Sequence, residues 1–132
     1  MVESLGALLM KLLFVDNSRT IRTGMSMILS QKGHTVHAVG TGQEAIETLK
    51  TDVGAFDLVI MDLYMPLMNG HEAAKIIREL PDACKTIPIV ALTASQDPRD
   101  LEIAKNAGMN EFVMKSSDNQ ALFDILDRYN PQ

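Results

Sequence analysis

The feature that most constrains the fold is a series of five short apolar segments that recur along the chain. Most are unbroken apolar runs rather than alternating apolar and polar residues, which is typical of strands covered on both faces of a parallel sheet. The five predicted strands are Lys11–Val15, Thr35–Val39, Asp57–Met61, Pro88–Leu92 and Glu111–Met114.

Helical periodicity fills the intervals between these strands. Apolar residues recur three or four positions apart, so each predicted helix carries one apolar face. Gly33, Pro81 and Gly108 stand where three of the helices should end. Strand followed by helix, five times over, implies parallel strands joined by right-handed crossovers. We therefore predict an α/β fold: a doubly wound, five-stranded parallel sheet with five helices.

Composition narrows the class of protein. A chain of 132 residues suits one domain, and its apolar fraction of 46% beside 22% charged residues is ordinary for a globular core. The net charge is −5 and the basic residues are scattered, which argues against a nucleic-acid partner. Cys84 is the single cysteine, so no internal disulfide can form, and a cytoplasmic setting is expected.

The N-terminal segment is apolar but does not predict a membrane anchor. Residues 5–15 are interrupted by Lys11 and are far shorter than the roughly 20 residues that span a bilayer. Glu3 precedes the run, where a signal peptide would carry positive charge. We predict a lead-in over residues 1–9 and one domain over residues 10–130, with no membrane partner.

Four predicted strands are followed directly by a polar residue: Asp16, Asp62, Thr93 and Lys115. In an open parallel sheet the carboxyl ends of the strands share one edge, where ligands bind. Taken singly, each has an ordinary structural explanation, such as a helix cap for an aspartate or a strand-end lysine reaching water. Four such residues at matching strand ends favour a functional site.

The chemistry of this group is coherent. Two carboxylates about 4 Å apart repel by about 4 kcal/mol at an effective dielectric near 20, so such a pair shares a proton or holds a cation. Hard oxygen ligands favour Mg²⁺. A carboxylate can then act as a nucleophile toward a phosphoryl group, while Lys115 neutralises charge and the Thr93 hydroxyl binds a phosphoryl oxygen.

Longer motifs surround these residues: Leu-Phe-Val-Asp-Asn-Ser at 13–18, Asp-Leu-Val-Ile-Met-Asp-Leu-Tyr-Met-Pro-Leu-Met-Asn-Gly at 57–70, Ala-Leu-Thr-Ala at 91–94 and Phe-Val-Met-Lys-Ser at 112–116. With them the chain resembles the receiver domains of bacterial response regulators in two-component signalling, from about Lys11 to Tyr129. The resemblance implies the flavodoxin-like receiver fold, with strand order 2-1-3-4-5.

The resemblance also implies roles at the matching positions. Asp62 is the phosphorylation site. Asp16, Asn17, Asp62 and the backbone carbonyl of Tyr64 hold Mg²⁺, and Lys115 contacts the phosphoryl group.

Two further positions are implied to switch the domain. Thr93 shifts toward the phosphoryl group, Phe112 changes rotamer, and the surface of the fourth helix, fifth strand and fifth helix changes with them. The implied phosphoryl donor is a histidine kinase or a phosphotransfer protein, and the implied target is a downstream protein or output domain. Such a domain promotes only its own phosphorylation and dephosphorylation, and we expect a monomer or weak dimer.

Several positions depart from the family pattern. Asn17 stands where a second acid is usual, which predicts weaker Mg²⁺ binding. Ser116 replaces a proline, and a cis bond before serine costs about 2.5–4 kcal/mol, so a trans bond is expected. Phe112 replaces the more familiar tyrosine. Tyr64 and Ser95 occupy positions that tune phosphoryl lifetime in the family, and a bulky Tyr64 could shield the phosphorylated aspartate.

Three other readings compete. A phosphatase with an aspartate nucleophile would want a second acid where Tyr64 stands. A flavin carrier would want a Ser/Thr/Gly-rich loop after the first strand, where Asp16-Asn17-Ser18 lies instead, and the chain has no Trp. A pseudo-receiver that binds proteins without phosphorylation is the third alternative, which Asn17 and Ser116 leave open. The start at Met1 and the finish soon after the last helix lean toward a single-domain regulator.

Overall fold

The computed structural model describes residues 9–52, 54–94, 97–115 and 118–130. This part of the chain forms one five-stranded parallel sheet in the order β2-β1-β3-β4-β5. The strands are β1 (Lys11–Val15), β2 (Thr35–Val39), β3 (Leu58–Asp62), β4 (Ile89–Thr93) and β5 (Glu111–Met114). The helices are α1 (Arg19–Gln31), α2 (Gly42–Thr51), α3 (Gly70–Glu79), α4 (Pro98–Asn106) and α5 (Gln120–Tyr129). The predicted fold class and the strand order are confirmed.

The core has two halves, one on each face of the sheet. Helices α2, α3 and α4 cover one face, and α1 and α5 cover the other. In β1, Leu13 and Val15 point into the first half while Leu12 and Phe14 point into the second, and all four are fully buried. Because both faces are covered, the central strands need apolar residues at every position, which explains their unbroken apolar runs.

Side-chain caps begin the first two helices soon after a strand has ended. The Ser18 hydroxyl accepts a hydrogen bond from the Ile21 N–H at the start of α1 (3.3 Å), and Thr41 does the same for Glu44 at the start of α2 (3.0 Å). These caps turn the chain back at the carboxyl edge of the sheet. The connections from β1 to α1 and from β2 to α2 are therefore short, with three and two residues between strand and helix.

The structure shifts two predicted strands by one residue. β3 and β4 begin at Leu58 and Ile89, and they end at Asp62 and Thr93. Asp62 pairs with Leu92, and Thr93 pairs with Met114, so both polar residues belong to the ladder rather than to the following loops. A strand end is held more firmly than a loop, which fixes the backbone of both residues.

The boundary between the lead-in at residues 1–9 and the domain at residues 10–130 remains a prediction. Residues 1–8 lie outside the described residues, Leu9 is exposed, and β1 begins two residues later. Within the described ranges, none of the helices has the length and apolar character needed to cross a membrane.

Candidate functional site

The carboxyl edge of the sheet brings three of the predicted residues into contact. Asp16 follows β1, Asp62 ends β3 and Lys115 follows β5. The Lys115 ammonium Nζ lies 3.0 Å from Asp16 Oδ2 and 3.2 Å from Asp62 Oδ2. The Lys115 backbone N–H donates to the Thr93 carbonyl (2.8 Å), which ties the end of β5 to the end of β4. One ammonium thus bridges two carboxylates from different strands.

Both carboxylates are buried. The side chain of Asp16 is 0% exposed and that of Asp62 is 5% exposed, whereas Lys115 keeps 23% of its side chain in solvent. Burial raises the pKa of Asp62, and the neighbouring Asp16 raises it further; the Lys115 ammonium and the Tyr64 N–H, 3.4 Å from Asp62 Oδ1, offset part of that rise. The pocket therefore disfavours ionisation of Asp62 beside Asp16 unless a further cation binds.

The lysine in this pocket remains a cation. Burial by itself would lower the pKa of Lys115, but its contacts with Asp16 and Asp62 outweigh burial, and the net shift is upward. Lys115 is therefore protonated at neutral pH. With two carboxylates and one ammonium, the ionised pocket still carries an excess negative charge.

Asp16 is held by its neighbours but keeps one unsatisfied oxygen. Its N–H donates to the Val39 carbonyl (3.2 Å), and its Oδ1 accepts from the Ser18 N–H (2.8 Å). Its Oδ2 lies within ion-pair distance of Lys115 but receives no hydrogen bond of acceptable geometry. Among the described residues, this atom and His71 Nδ1 are the only buried side-chain nitrogen or oxygen atoms without a hydrogen bond. The Lys115 ammonium supplies one positive charge to this oxygen, and the negative charge that remains in the ionised acid pair favours a further cation.

The donor set fits Mg²⁺, the ion that the resemblance implies. Within the described ranges no three His, Cys, Asp or Glu side chains form a metal cluster, so a metal here would rely on Asp16, Asp62, backbone carbonyl oxygen and water. Mg²⁺ accepts such a set because it retains several waters and is bound by one or two carboxylates. When bound, it would neutralise charge on the acids and on phosphoryl oxygens.

The other predicted site residues lie around this pocket. Asn17 is exposed beside Asp16, and Thr93 is buried at the end of β4. Phe112 is half-buried and packs against the half of the core under α2, α3 and α4. Tyr64 is half-exposed, and its hydroxyl donates to the Asp100 carboxylate of α4, which raises the pKa of Tyr64. The departures at Ser95 and Ser116 fall outside the described residues.

The sequence motif included Gly70 without giving it a role, and Arg22 was missed. A Cβ on Gly70 would lie 2.2 Å from the Asp62 carbonyl oxygen, so only glycine lets α3 begin against the end of β3. Arg22 donates from Nη1 to the Asp16 carbonyl at 2.7 Å. Gly70 closes the motif that begins at residue 57, which was a usable signal. Arg22 gave none, because a cation on a helix is most often a solvated residue.

The fold and the site together define an open α/β signalling domain with an acid pair and a lysine at its carboxyl edge. The family model described as the response regulator receiver domain matches residues 12–127. The chain belongs to this family.

Relatives are found within larger signalling proteins. The chain is 33% identical over 114 residues to the CAI-1 autoinducer sensor kinase/phosphatase CqsS of Vibrio cholerae, a match that covers 86% of this chain and 16% of that protein. It is 31% identical over 124 residues to the histidine-protein kinase BarA of Escherichia coli, covering 94% of this chain and 13% of that protein. The chain thus spans a small part of these curated relatives.

Solved structures give the same fold. The receiver domain of sensor histidine kinase PA1611 from Pseudomonas aeruginosa, which has a magnesium ion coordinated in its active site cleft, superposes with a TM-score of 0.83 at 28% identity, over 93% of this chain and 98% of that one. The receiver domain of Saccharomyces cerevisiae Ssk1, solved with the histidine phosphotransfer protein Ypd1, gives a TM-score of 0.81 at 27% identity, over 92% and 88%.

Proposed function

We propose that this receiver domain accepts a phosphoryl group on Asp62, with Mg²⁺, from a histidine kinase or a phosphotransfer protein. The observation that carries the proposal is the convergence of Asp62, Asp16 and the Lys115 ammonium at one edge of the sheet. Asp62 is the proposed acceptor because its side chain keeps some exposure (5%), whereas that of Asp16 has none (0%). Asp16 Oδ1 is occupied by the Ser18 N–H at 2.8 Å, whereas Asp62 Oδ1 has only a long contact of 3.4 Å with the Tyr64 N–H.

The reaction needs little beyond positioning and charge. An Asp62 carboxylate oxygen attacks phosphorus, and the bond from phosphorus to the donor breaks as the donor departs with the electron pair. Lys115 remains protonated and balances charge on the phosphoryl oxygens. The Thr93 hydroxyl, at the end of the neighbouring strand, would donate to one of those oxygens.

The output of the domain is proposed to lie on the surface of α4, β5 and α5. In this proposal Thr93 moves toward the phosphoryl group and Phe112 follows, which shifts the population of that surface for a downstream protein or output domain. Receiver relatives within sensor kinases, and the Ssk1 structure solved with a phosphotransfer protein, support a donor of that kind. A cytoplasmic setting and a monomer or weak dimer remain predictions.

The test is phosphorylation by a small donor. The protein is mixed with acetyl phosphate and Mg²⁺, and intact mass is measured. We expect a phosphate-sized increase in wild type, none in Asp62→Asn, and an undiminished increase in Asp52→Asn, which removes an exposed acid at the end of α2. An increase that survives in Asp62→Asn would place the acceptor elsewhere.

The same assay addresses the pseudo-receiver. The neutral Asn17 beside Asp16 is the observation that favours a binding module without phosphorylation, since it leaves the pocket with one fewer acid than the family pattern. Wild type that gains no mass over a range of Mg²⁺ concentrations would support that second function.

A further inference from the structure

Arg22 lies behind the acid pocket rather than in it. The residue is half-buried on α1, and its Nη1 donates to the backbone carbonyl of Asp16 at 2.7 Å. A charged donor at this distance makes a strong hydrogen bond. The contact joins α1 to the peptide that immediately follows β1.

This hydrogen bond completes the fixing of Asp16. The Asp16 N–H is held by Val39 on the neighbouring strand, and its Oδ1 is held by the Ser18 N–H. Neither contact fixes the peptide plane between Asp16 and Asn17. Arg22 does so by holding the carbonyl of that peptide, and the plane in turn sets where the Ser18 N–H meets the carboxylate.

Gly40, in the loop between β2 and α2, lies against the Arg22 guanidinium. A Cβ on Gly40 would lie 3.0 Å from Arg22 Nη1 and 3.4 Å from its Cζ. The Gly40 N–H donates to Glu44 Oε1 (3.0 Å), within the same turn as the cap of α2. A side chain at position 40 would therefore require the Arg22 guanidinium to shift by a few tenths of an ångström.

The position of Asp16 matters more here than in a pocket with three acids. Asn17 is neutral, so Asp16 and Asp62 supply all the carboxylate charge that the described residues bring to this pocket. Residues that orient a metal ligand typically contribute about 10–100-fold to metal affinity. We propose that Arg22, packed against Gly40, is a positioning residue that fixes the orientation of the Asp16 carboxylate for Mg²⁺ binding. This inference rests on the proposed Mg²⁺ site.

The cleanest test leaves every charge in place. The methyl group of Gly40→Ala presses on the Arg22 guanidinium and requires it to shift by a few tenths of an ångström, whereas Gly24→Ala adds the same methyl group to α1 where nothing lies within 4 Å. Mg²⁺ is titrated into each ¹⁵N-labelled protein while the amide signals of Ser18 and Tyr64, which donate to the two carboxylates, are followed. We expect Kd to rise about tenfold in Gly40→Ala and to stay unchanged in Gly24→Ala.

Substitutions of Arg22 separate position from charge. A positive charge near the pocket repels Mg²⁺, so removing it would by itself tighten binding. We expect Arg22→Met to weaken binding nonetheless, and Arg22→Lys, which keeps the charge and can still donate to the carbonyl, to recover part of the loss. Tighter binding in Arg22→Met with an unchanged Kd in Gly40→Ala would overturn the inference.

A measurement without metal keeps the two proposals distinct. Hydrogen exchange of the Ser18 amide in Mg²⁺-free protein should accelerate in Gly40→Ala and not in Gly24→Ala, because the Asp16 carboxylate loses its fixed orientation. Exchange that is unchanged in both Gly40→Ala and Arg22→Met would contradict the role of Arg22 whatever the metal does. If the amide signals of wild type do not shift on addition of Mg²⁺, the proposed Mg²⁺ site is wrong, and this inference is wrong with it.

Discussion

The two edges of the sheet each contain a largely buried cation, but the surroundings of the two cations are opposite. At the amino edge, Arg78 of α3 donates from Nε and Nη2 to the Gly108 carbonyl (3.0 and 2.8 Å), from Nη1 to the Cys84 carbonyl (3.0 Å) and from Nη2 to Asn110 Oδ1 (2.9 Å). At the carboxyl edge, Lys115 faces two carboxylates.

The difference separates a structural cluster from a reactive one. Arg78 is matched by neutral acceptors, and each guanidinium nitrogen has a partner. In the acid pocket negative charge exceeds positive charge, and Asp16 Oδ2 lacks a hydrogen bond. An imbalance that the protein maintains at a buried site is a mark of function, since a pocket selected for stability alone would be neutralised.

Removing Arg78 should give the largest loss of stability. Arg78→Met removes the charged donors to the Gly108 carbonyl and the Asn110 side chain, and we expect the free energy of unfolding to fall by about 3 kcal/mol. Urea denaturation measures it. Arg99→Met, which removes an exposed arginine paired with Asp97, serves as the control and should leave stability nearly unchanged. A loss no larger than that of the control would mean that the amino edge is not a structural cluster.

Removing Lys115 should cost somewhat less and should respond to metal. Lys115→Met leaves Asp16 and Asp62 facing each other, with an expected loss of about 2 kcal/mol at neutral pH. Mg²⁺ should restore part of it, as it would not for Arg78→Met, and acid should shrink it as Asp62, whose pKa is raised, becomes protonated. In wild type the raised pKa of Lys115 keeps its contribution complete below the ordinary lysine pKa and loses it only at more alkaline pH. Thermal unfolding across pH, with and without Mg²⁺, measures all of these effects.

Neutralising Asp62 should stabilise the fold modestly. Because its pKa is raised, mainly by burial, the stability of wild type falls as pH rises through that pKa. Asp62→Asn lacks this fall, so we expect a gain of about 1 kcal/mol at neutral pH that vanishes below the ordinary aspartate pKa near 4. Denaturation curves at several pH values, without Mg²⁺, measure it. A gain that persisted in acid would mean that the carboxylate charge is not its cause.

The smallest effect is expected at the rim of the acid pocket. Tyr64→Phe removes the hydrogen bond to Asp100, but both groups contact solvent, so the change in stability should stay within about 0.5 kcal/mol. Urea denaturation checks it, with Tyr129→Phe, which removes a half-buried hydrogen bond to Glu111 (2.8 Å), as the comparison. A larger loss at Tyr64 would make the rim part of the structural framework.

The sequence predicted the carboxyl edge better than the amino edge. Asp16, Asp62 and Lys115 could be placed because each follows an apolar run, and the carboxyl ends of parallel strands lie at the same edge of the sheet. Arg78 could not be placed, because its partners are mainly backbone carbonyls, which every residue possesses. The same reason hid Arg22, whose acceptor is the Asp16 carbonyl. Side-chain pairs leave a trace in residue type, whereas contacts with backbone groups do not.

Strand limits and helix faces show a second limit of sequence reasoning. Asp62 and Thr93 extend β3 and β4 because neighbouring strands supply their backbone partners, which local polarity does not reveal. Ile76 fits the apolar spacing of α3 in the sequence but is 36% exposed in the structure. The width of the buried stripe depends on how closely the neighbouring helices approach, and periodicity alone does not give that distance.

The close approach of Gly70 to the Asp62 carbonyl couples the end of β3 to the start of α3. A Cβ on Gly70 would lie 2.2 Å from that oxygen, so the backbones of β3 and α3 are tightly packed at this point. Movement of the Asp62 backbone must therefore displace the first turn of α3. A spectroscopic label on an exposed position of that helix, such as Lys75, would then report on chemistry at the opposite end of the contact without entering the pocket.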